Sequence, residues 1–569
     1  MTQSPSSTPT DDDSSFPNSC RCSTPVILSI EIKCGELCVA FFSIDTSITL
    51  EHQVTVYRNV LKFQTKFLAL PASSLWKSLE EALENPSISC SLLSRVQAIS
   101  ITGDPNSLVL LDRENTAISN IVYSSDPGQE KIPHLERLNA ILENSELQGE
   151  ILHENVGLLL TSLDYLRFLL TGHPITSISD AFSTGLWNVE NCTWNYELLA
   201  QKLKRTNISL SLLPEIRSAT TIIGRVTPSV SKEFNLGSTV LVITGSDSLS
   251  CSALSAGCIG NSCLAQIHES FSLVLTCKTP IERRDFLKLF TAIPSVNCRE
   301  ILAWSNIDQW SFLKLLDHDF SIQIDPFSNP FDPRGHDAQQ LLVRLQDFTL
   351  FTPTTYQAVT ETKKPSSIQA KSKFFSYLID SLACTNTGSS GLFYIPLSFI
   401  PSSQRLLKDG FISISTNTTN FSNEILTRSY LESIIYRLNF ALLSISETKQ
   451  SDILLLSIPI KLSLSKSHVI LSFAQMVADI TGRIVALVTE CSSVKGSAMV
   501  AAVSLKLVPS FDSLYLFYSS SRVFQPDSFA SCCYNELYQY WLCLLSEKKP
   551  EHLSSSVLDL LQKQCEISC

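Results

Sequence analysis

The stretch that decides the fold runs from residue 158 to residue 247. It contains LLLTSLDYLRFLLTG (158–172), TSISDAFSTGLWNVENCTW (176–194), LLPEIRSATTIIGRVTP (212–228) and VLVITGSD (240–247). Leu158 to Leu170 repeats apolar residues at helical spacing, which predicts a helix. Asp164 and Arg167 break its apolar run well short of the roughly 20 residues that a membrane-crossing helix needs. Thr239 to Thr244 is short and apolar, which predicts a strand, and the small residues of Ser248–Cys258 predict a helix after it. Asp247 stands at the junction. A carboxylate there caps a helix start well, and it can also accept the proton of a bound hydroxyl.

The same alternation extends to both sides. Pro25 to Ile44 reads as two strands around a polar turn, and Val96 to Asp112 as two more, broken at Gly103-Asp104-Pro105-Asn106. Trp76 to Leu83 carries helical periodicity. In the C-terminal half, Asn423–Ser444 predicts a long helix, Ser451–Leu464 an extended segment, Val469–Ile480 a helix and Arg483–Val488 a strand. Strand pairs near the start of each half, followed by alternating strands and helices, predict two similar α/β units. Residues 317–371, with DPFSNPFDPRGHD and TETKKPSS, predict a loop-rich stretch.

Composition narrows the function classes. A chain of 569 residues, 44% hydrophobic and 17% charged, is globular and long enough for two large domains. A formal charge of −11 gives no long-range attraction to nucleic acid or to anionic lipid, which excludes both as main partners. Residues 1–24 are rich in Ser, Pro and Asp without an apolar core, which predicts a disordered tail rather than a secretory signal. The 18 cysteines are scattered through apolar segments and lack the paired spacing of a zinc site, so reduced core thiols and a cytoplasmic location are expected. Glycine, at 18 residues, has about half its usual share, and phosphate-cradling loops need glycine for close backbone approach.

Three sets of segments, in order, carry a resemblance. AISITGDPNSLVLLD (98–112) is similar to a strand–loop–strand I-S-G-Q-x-H-G-x-V-x-L-D. Residues 158–247 follow L-x-D-Y-L-x-x-x-L-T-G, S-D-A-x-x-T, L-L-P-x-x-x-x-x-x-x-x-G-x-x-T and V-x-x-G-x-D. Residues 428–503 carry R-x-x-L-E at Arg428, Leu431 and Glu432, Q-x-x-A-D at Gln475–Asp479, and G-S-A at Gly496–Ala498. Together they resemble the FGGY family of carbohydrate kinases, eukaryotic xylulokinases in particular. The resemblance implies an α/β fold of two actin-like (ribonuclease H-like) ATPase domains around a central cleft, 25–226 and 227–545, with tails at 1–24 and 546–569. It also implies a small-molecule sugar, a pentulose, deep in the cleft, ATP with Mg2+ near its mouth, and transfer of the γ-phosphoryl group to D-xylulose.

Carried over residue by residue, the family's catalytic base falls on Asp247, with an alternative alignment placing Ser246 there. Ser248 stands where the family often has Asn. The sugar-contacting Q-x-H becomes Asp104 and Asn106, which can hydrogen-bond a polyol or simply form a tight turn. The family's W-x-D becomes Tyr123-Ser124-Ser125. The nucleotide loops depart further. In the first, D-x-G-T becomes a run with Glu31, Lys33, Cys34 and Glu36. In the second, S-L-G-T-S becomes Gln266-Ile267-His268-Glu269-Ser270, keeping only Ser270. In the adenosine loop, G-G-A-S-x-N becomes Ser465–Ile470, with Lys466 a candidate anion contact. Gly496 completes the nucleotide-binding candidates. Each charge-assisted phosphate contact is worth roughly 1.5–3 kcal/mol, so losing two or three weakens ATP binding about a thousandfold or more. Glu36, Glu269 and Lys466 are expected around one cleft mouth, and xylulose phosphorylation is expected to be slow or absent. The other expectation is an inactive relative acting as a sugar-binding, regulatory or scaffold protein.

Overall fold

The computed structural model describes residues 24–45, 47–63, 67–124, 133–143, 156–188, 193–203, 212–259, 263–267, 271–278, 291–294, 301–308, 385, 387–395, 410–413, 423–445, 453–457, 467–488, 491–517 and 520–545. The tails at 1–23 and 546–569 and the 317–371 stretch lie outside them.

The first sheet is built from β1 (Val26–Lys33), β2 (Glu36–Ile44), β3 (Ile48–Tyr57), β6 (Val96–Gly103), β14 (Ile222–Arg225) and β15 (Leu241–Ile243), in the order β14-β15-β6-β1-β2-β3. β1, β2 and β3 are antiparallel neighbours; β6 and β15 run parallel to β1 and to each other. VILSIEI is buried on both faces. Val26, Leu28, Ile30 and Ile32 pack toward helix α1 (Ala72–Leu83) and helix α4 (Ser162–Thr171). Ile27 faces the opposite core. A strand covered on both faces therefore reads as a nearly continuous apolar run.

A five-stranded antiparallel sheet extends this unit: β4 (Leu61–Phe63), β5 (Phe67–Leu70), β8 (Ile121–Ser124), β7 (Ser107–Asp112) and β9 (Val156–Leu160). The pairs β10 (Ile175–Ser177) with β13 (Glu215–Arg217) and β11 (Trp187–Asn188) with β12 (Thr193–Trp194) flank it. Helices α2 (Cys90–Leu93), α3 (Pro133–Glu143), α5 (Ile178–Ser183), α6 (Tyr196–Leu203) and α7 (Pro228–Glu233) fill the connections. Leu158–Leu160 is the end of strand β9, not helix, because it pairs with Val109–Leu111. The helix begins after Thr161, whose hydroxyl accepts from the Asp164 amide while the Asp164 side chain accepts from the Thr161 amide, a reciprocal cap.

The second large sheet has seven strands in the order β18-β19-β17-β16-β22-β23-β24: β16 (Cys263–Ile267), β17 (Phe271–Lys278), β18 (Thr291–Pro294), β19 (Ile301–Asp308), β22 (Ile453–Ser457), β23 (Ile484–Val488) and β24 (Ser520–Phe524). Its run β19-β17-β16-β22-β23-β24 repeats the strand senses of β3-β2-β1-β6-β15-β14: three antiparallel strands, two parallel additions and an antiparallel edge. The two α/β units are thus similar, as the strand–helix alternation predicts. A small hairpin, β20 (Leu392–Ile395) and β21 (Gly410–Ser413), stands beside the second unit. Helices α9 (Asn423–Ile445), α10 (Ser467–Thr481) and α12 (Ser528–Leu545) cover this sheet with a core rich in tyrosine and Trp541.

Two helices join the units. α8 (Ser248–Ser255) follows β15, and α11 (Ser493–Ser504) returns from the second unit to pack on α8 and on the first sheet. The expected boundary at 226/227 falls between β14 and β15, two paired strands of one sheet. The strand before Asp247 therefore completes the first sheet rather than opening the second unit.

Candidate active site

Asp247 sits where β15 hands over to α8. Gly245 makes the turn possible: its φ is +70°, and a Cβ there would lie 1.9 Å from the Ile101 carbonyl oxygen. The turn is held on one side by Thr221, whose carbonyl accepts from the Thr244 amide, and by Ala219, whose carbonyl accepts from the Gly245 amide, both at 3.0 Å. On the other side the Ser179 hydroxyl lies 2.6 Å from the Ser246 hydroxyl and accepts from the Asp247 amide at 3.2 Å.

The Asp247 carboxylate is buried, 4% exposed, and turned into its own helix. Oδ1 accepts from the Ser250 amide at 2.9 Å; Oδ2 accepts from the Ser250 hydroxyl at 2.5 Å and from the Ser246 hydroxyl at 3.4 Å. Capping is thus realised in full. Its hydrogen-bond partners are Ser246 and Ser250. Burial raises the Asp247 carboxyl above the usual range, the Ser250 bonds work against this, and the nearby Asp180 charge adds to it. Ser248, half-buried, is the first residue of α8.

Beneath the turn lies a buried ionic cluster that the sequence reading passed over. Arg167 on α4 donates from Nε to the Thr244 carbonyl at 2.7 Å and from Nη1 to Asp164 Oδ1 at 2.7 Å. Its Nη2 forms an ion pair with Asp180 Oδ2 at 2.8 Å. The Arg167 and Asp180 side chains are fully buried, and Asp164 nearly so. Burial pushes the Asp164 carboxyl up to about 6, against the pull of Arg167. The available signal was a charged pair three residues apart inside an apolar helix, since such groups are rarely buried unless paired.

Asp104 and Asn106 form a turn at the end of β6. The Asp104 amide donates to the Ile32 carbonyl at 2.8 Å, and the Asn106 amide donates to Asp104 Oδ1 at 2.9 Å. Gly103 is required because a Cβ would stand 2.1 Å from the Ile32 oxygen. Both side chains remain half-buried. Cys34 is close by: burial pushes its thiol up to about 11, and the Asp104 charge adds to that.

Glu31 faces α11. Its Oε1 accepts from the Ser493 hydroxyl and pairs with Lys33 Nζ at 3.0 Å. Glu31 is buried, whereas the Lys33 side chain is 46% exposed. β1 and β2 meet through a two-residue Cys34–Gly35 turn, Lys33 opposite Glu36, with Gly35 at φ +74°. Asp247, Glu31 and Asp180 share one neighbourhood around Cys251: burial raises its thiol first, and the three carboxylates add to the effect. Gly496 is placed by packing. A Cβ there would lie 1.8 Å from the Cys251 carbonyl oxygen, so this glycine lets α11 touch α8.

Glu432 of the R-x-x-L-E helix is an internal anchor. It accepts from Arg428 Nε, the Tyr534 hydroxyl, the Gly388 amide and the Ser389 hydroxyl at 2.8–3.0 Å. His268, Glu269, Ser270 and Lys466 lie outside the described residues. Among the described residues, no group of three or more His, Cys, Asp or Glu converges as a metal site, and no helix is long and apolar enough to cross a membrane.

Residues 141–254, which contain this turn and its ionic cluster, match the N-terminal domain of the FGGY family of carbohydrate kinases. A xylulose kinase of Lactococcus lactis subsp. lactis is 31% identical over 202 residues, which is 32% of this chain and 40% of that protein. One from Staphylococcus xylosus is 27% identical over 179 residues, 28% of this chain and 36% of that protein. The sequence likeness thus spans about two fifths of these relatives. The solved xylulose kinase of Lactobacillus acidophilus superimposes with a TM-score of 0.66, covering 92% of this chain and 98% of that one at 14% identity, which shows a shared two-domain actin-like fold. Residues 141–254 thus resemble the N-terminal domain of the FGGY carbohydrate kinases, xylulose kinases among them, and the chain shares the fold of a solved xylulose kinase over nearly its whole length.

Proposed function

We propose that this chain is a pentulose-binding carbohydrate kinase, with D-xylulose its sugar, in which phosphoryl transfer from ATP is slow or absent. One observation carries the second half of this reading. The Glu31 carboxylate, at the first phosphate turn, is buried and already engaged by Ser493 and Lys33. Beside it the turn offers Cys34, whose raised pKa keeps it an un-ionised thiol and a poor donor, and Glu36, whose charge repels a polyphosphate. These residues do not fit a magnesium-bound triphosphate. Sugar binding is supported by the relatives named above and by the half-buried Asp104 and Asn106. Asp247 would accept the proton of the sugar hydroxyl, which requires an oxygen released from the Ser250 hydroxyl. Its raised pKa makes it a stronger base than an exposed carboxylate.

Thermal unfolding with D-xylulose, with Mg-ATP and with both, alongside a coupled assay for ADP release, tests this. The sugar should raise the transition temperature by mass action. Nucleotide up to about 1 mM, near −4 kcal/mol of binding, should not. Turnover of D-xylulose at the about 1–100 s⁻¹ of working kinases would overturn the reading of impaired transfer. An absence of any response to sugar would overturn the pentulose assignment.

A further inference from the structure

We infer that Arg167 is a positioning residue: it fixes the Thr244–Asp247 turn and thereby sets where the Asp247 carboxylate stands. This rests on the proposed meeting of Asp247 with the sugar hydroxyl. Three segments converge on one guanidinium. Nε donates to the Thr244 carbonyl at 2.7 Å, Nη1 to Asp164 on its own helix at 2.7 Å, and Nη2 pairs with Asp180 at 2.8 Å. The planar guanidinium donates two hydrogen bonds in fixed directions and sets its charge against a second carboxylate, an arrangement that the compact point charge of an ammonium group does not reproduce. The hold continues through α5. Ser179, next to Asp180, bonds the Ser246 hydroxyl and accepts from the Asp247 amide. Thr221 and Ala219 grip the same turn from the β14 side. The turn is therefore clamped from both sides, and Arg167 is the charged half of the clamp. Its burial excludes direct contact with a bound sugar, so it acts through the backbone of the turn.

Hydrogen-exchange mass spectrometry on the full chain tests this, with Arg167→Lys, Arg167→Met and Ser179→Ala compared with the unaltered protein, and with D-xylulose affinity measured by calorimetry. Peptides covering residues 244–251 should exchange at least tenfold faster in Arg167→Met, less so in Arg167→Lys, while β2 and β23 keep their rates. Ser179→Ala should accelerate the same peptides alone. Xylulose affinity should fall in the same order. Unchanged exchange at 244–251 in a folded variant overturns the inference, and so does acceleration spread evenly over the chain, which marks a merely structural residue. If Arg167→Met does not fold, Ser179→Ala and Arg167→Lys decide. If the unaltered protein binds no xylulose, the sugar assignment fails while the exchange data still decide the positioning role.

Discussion

Asp247 caps α8 and is the proposed base for the sugar hydroxyl, and substitution can separate the two roles. Asparagine keeps an oxygen for the Ser250 amide, while alanine removes the cap. Asp247→Ala should therefore cost about 1 kcal/mol of stability and Asp247→Asn clearly less, measured by urea unfolding. Both should abolish any residual xylulose phosphorylation; a variant that keeps it does not use the family's base. Glu31 gives a second residue-level contrast. Glu31→Gln preserves an acceptor for Ser493 and loses only the half-exposed Lys33 pair, so its stability should stay near that of the unaltered protein. Glu31→Ala leaves the buried Ser493 hydroxyl without this acceptor and should cost about 1–3 kcal/mol. Equal effects of the two substitutions would show that the Glu31–Ser493 bond is not the stabilising contact.

Helix α11 is the element that ties the C-terminal half of the chain to the first unit. Its small residues, Gly496, Ser497 and Ala498, face the backbone of α8 and the small side chains of β6, and Ser497 donates to the Ser100 hydroxyl at 2.7 Å. Gly496→Ala would push a methyl group into the Cys251 carbonyl and should destabilise by about 1–3 kcal/mol through forced separation of the helices. A neutral result in denaturant unfolding would show that α8 and α11 slide apart at little cost. Helix α4 supplies a pH signature. The folded-state pKa of Asp164, about 6, lies above that of an unfolded aspartate, so the folded chain takes up this proton first. The stabilising contribution is fully present below the unfolded pKa of about 3.9 and is lost as pH rises through about 6. Asp247, also raised, acts in the same direction. Comparing urea midpoints at pH 5 and 7 in the unaltered protein and in Asp164→Asn isolates the effect: the difference between pH values should shrink in the variant.

For the molecule as a whole, the first unit is not closed by its own sequence. Val494, Ala498, Met499, Val500, Ala501 and Ala502 of α11 complete the core formed by Ile27, Ala40, Phe42, Ala98 and Ile243. A fragment covering residues 24–259 would leave that apolar face exposed and should lack cooperative unfolding in calorimetry. Cooperative unfolding of the fragment would show that the first unit folds without the returning helix.

The sequence by itself determined most element types and the family resemblance, because periodicity, turn chemistry and motif order are local properties written in neighbouring residues. VILSIEIK, VQAISITG and VLVITGSD read as strands before any packing is known, and Asp247 reads as a cap. It did not separate Leu158–Leu160 from the helix that follows, since a short apolar run fits either period until its pairing partner is known. Tertiary structure alone decided that β15 belongs to the first sheet, that Gly496 serves a helix crossing, and that Glu31 is held by Ser493, which stands 462 positions away. It also brought Arg167, Asp180 and Thr244 together beneath the Asp247 turn. Charges buried far apart in sequence leave no periodic trace. What selects them is the cost of burying each one unpaired, and that cost exists only once the helices have packed.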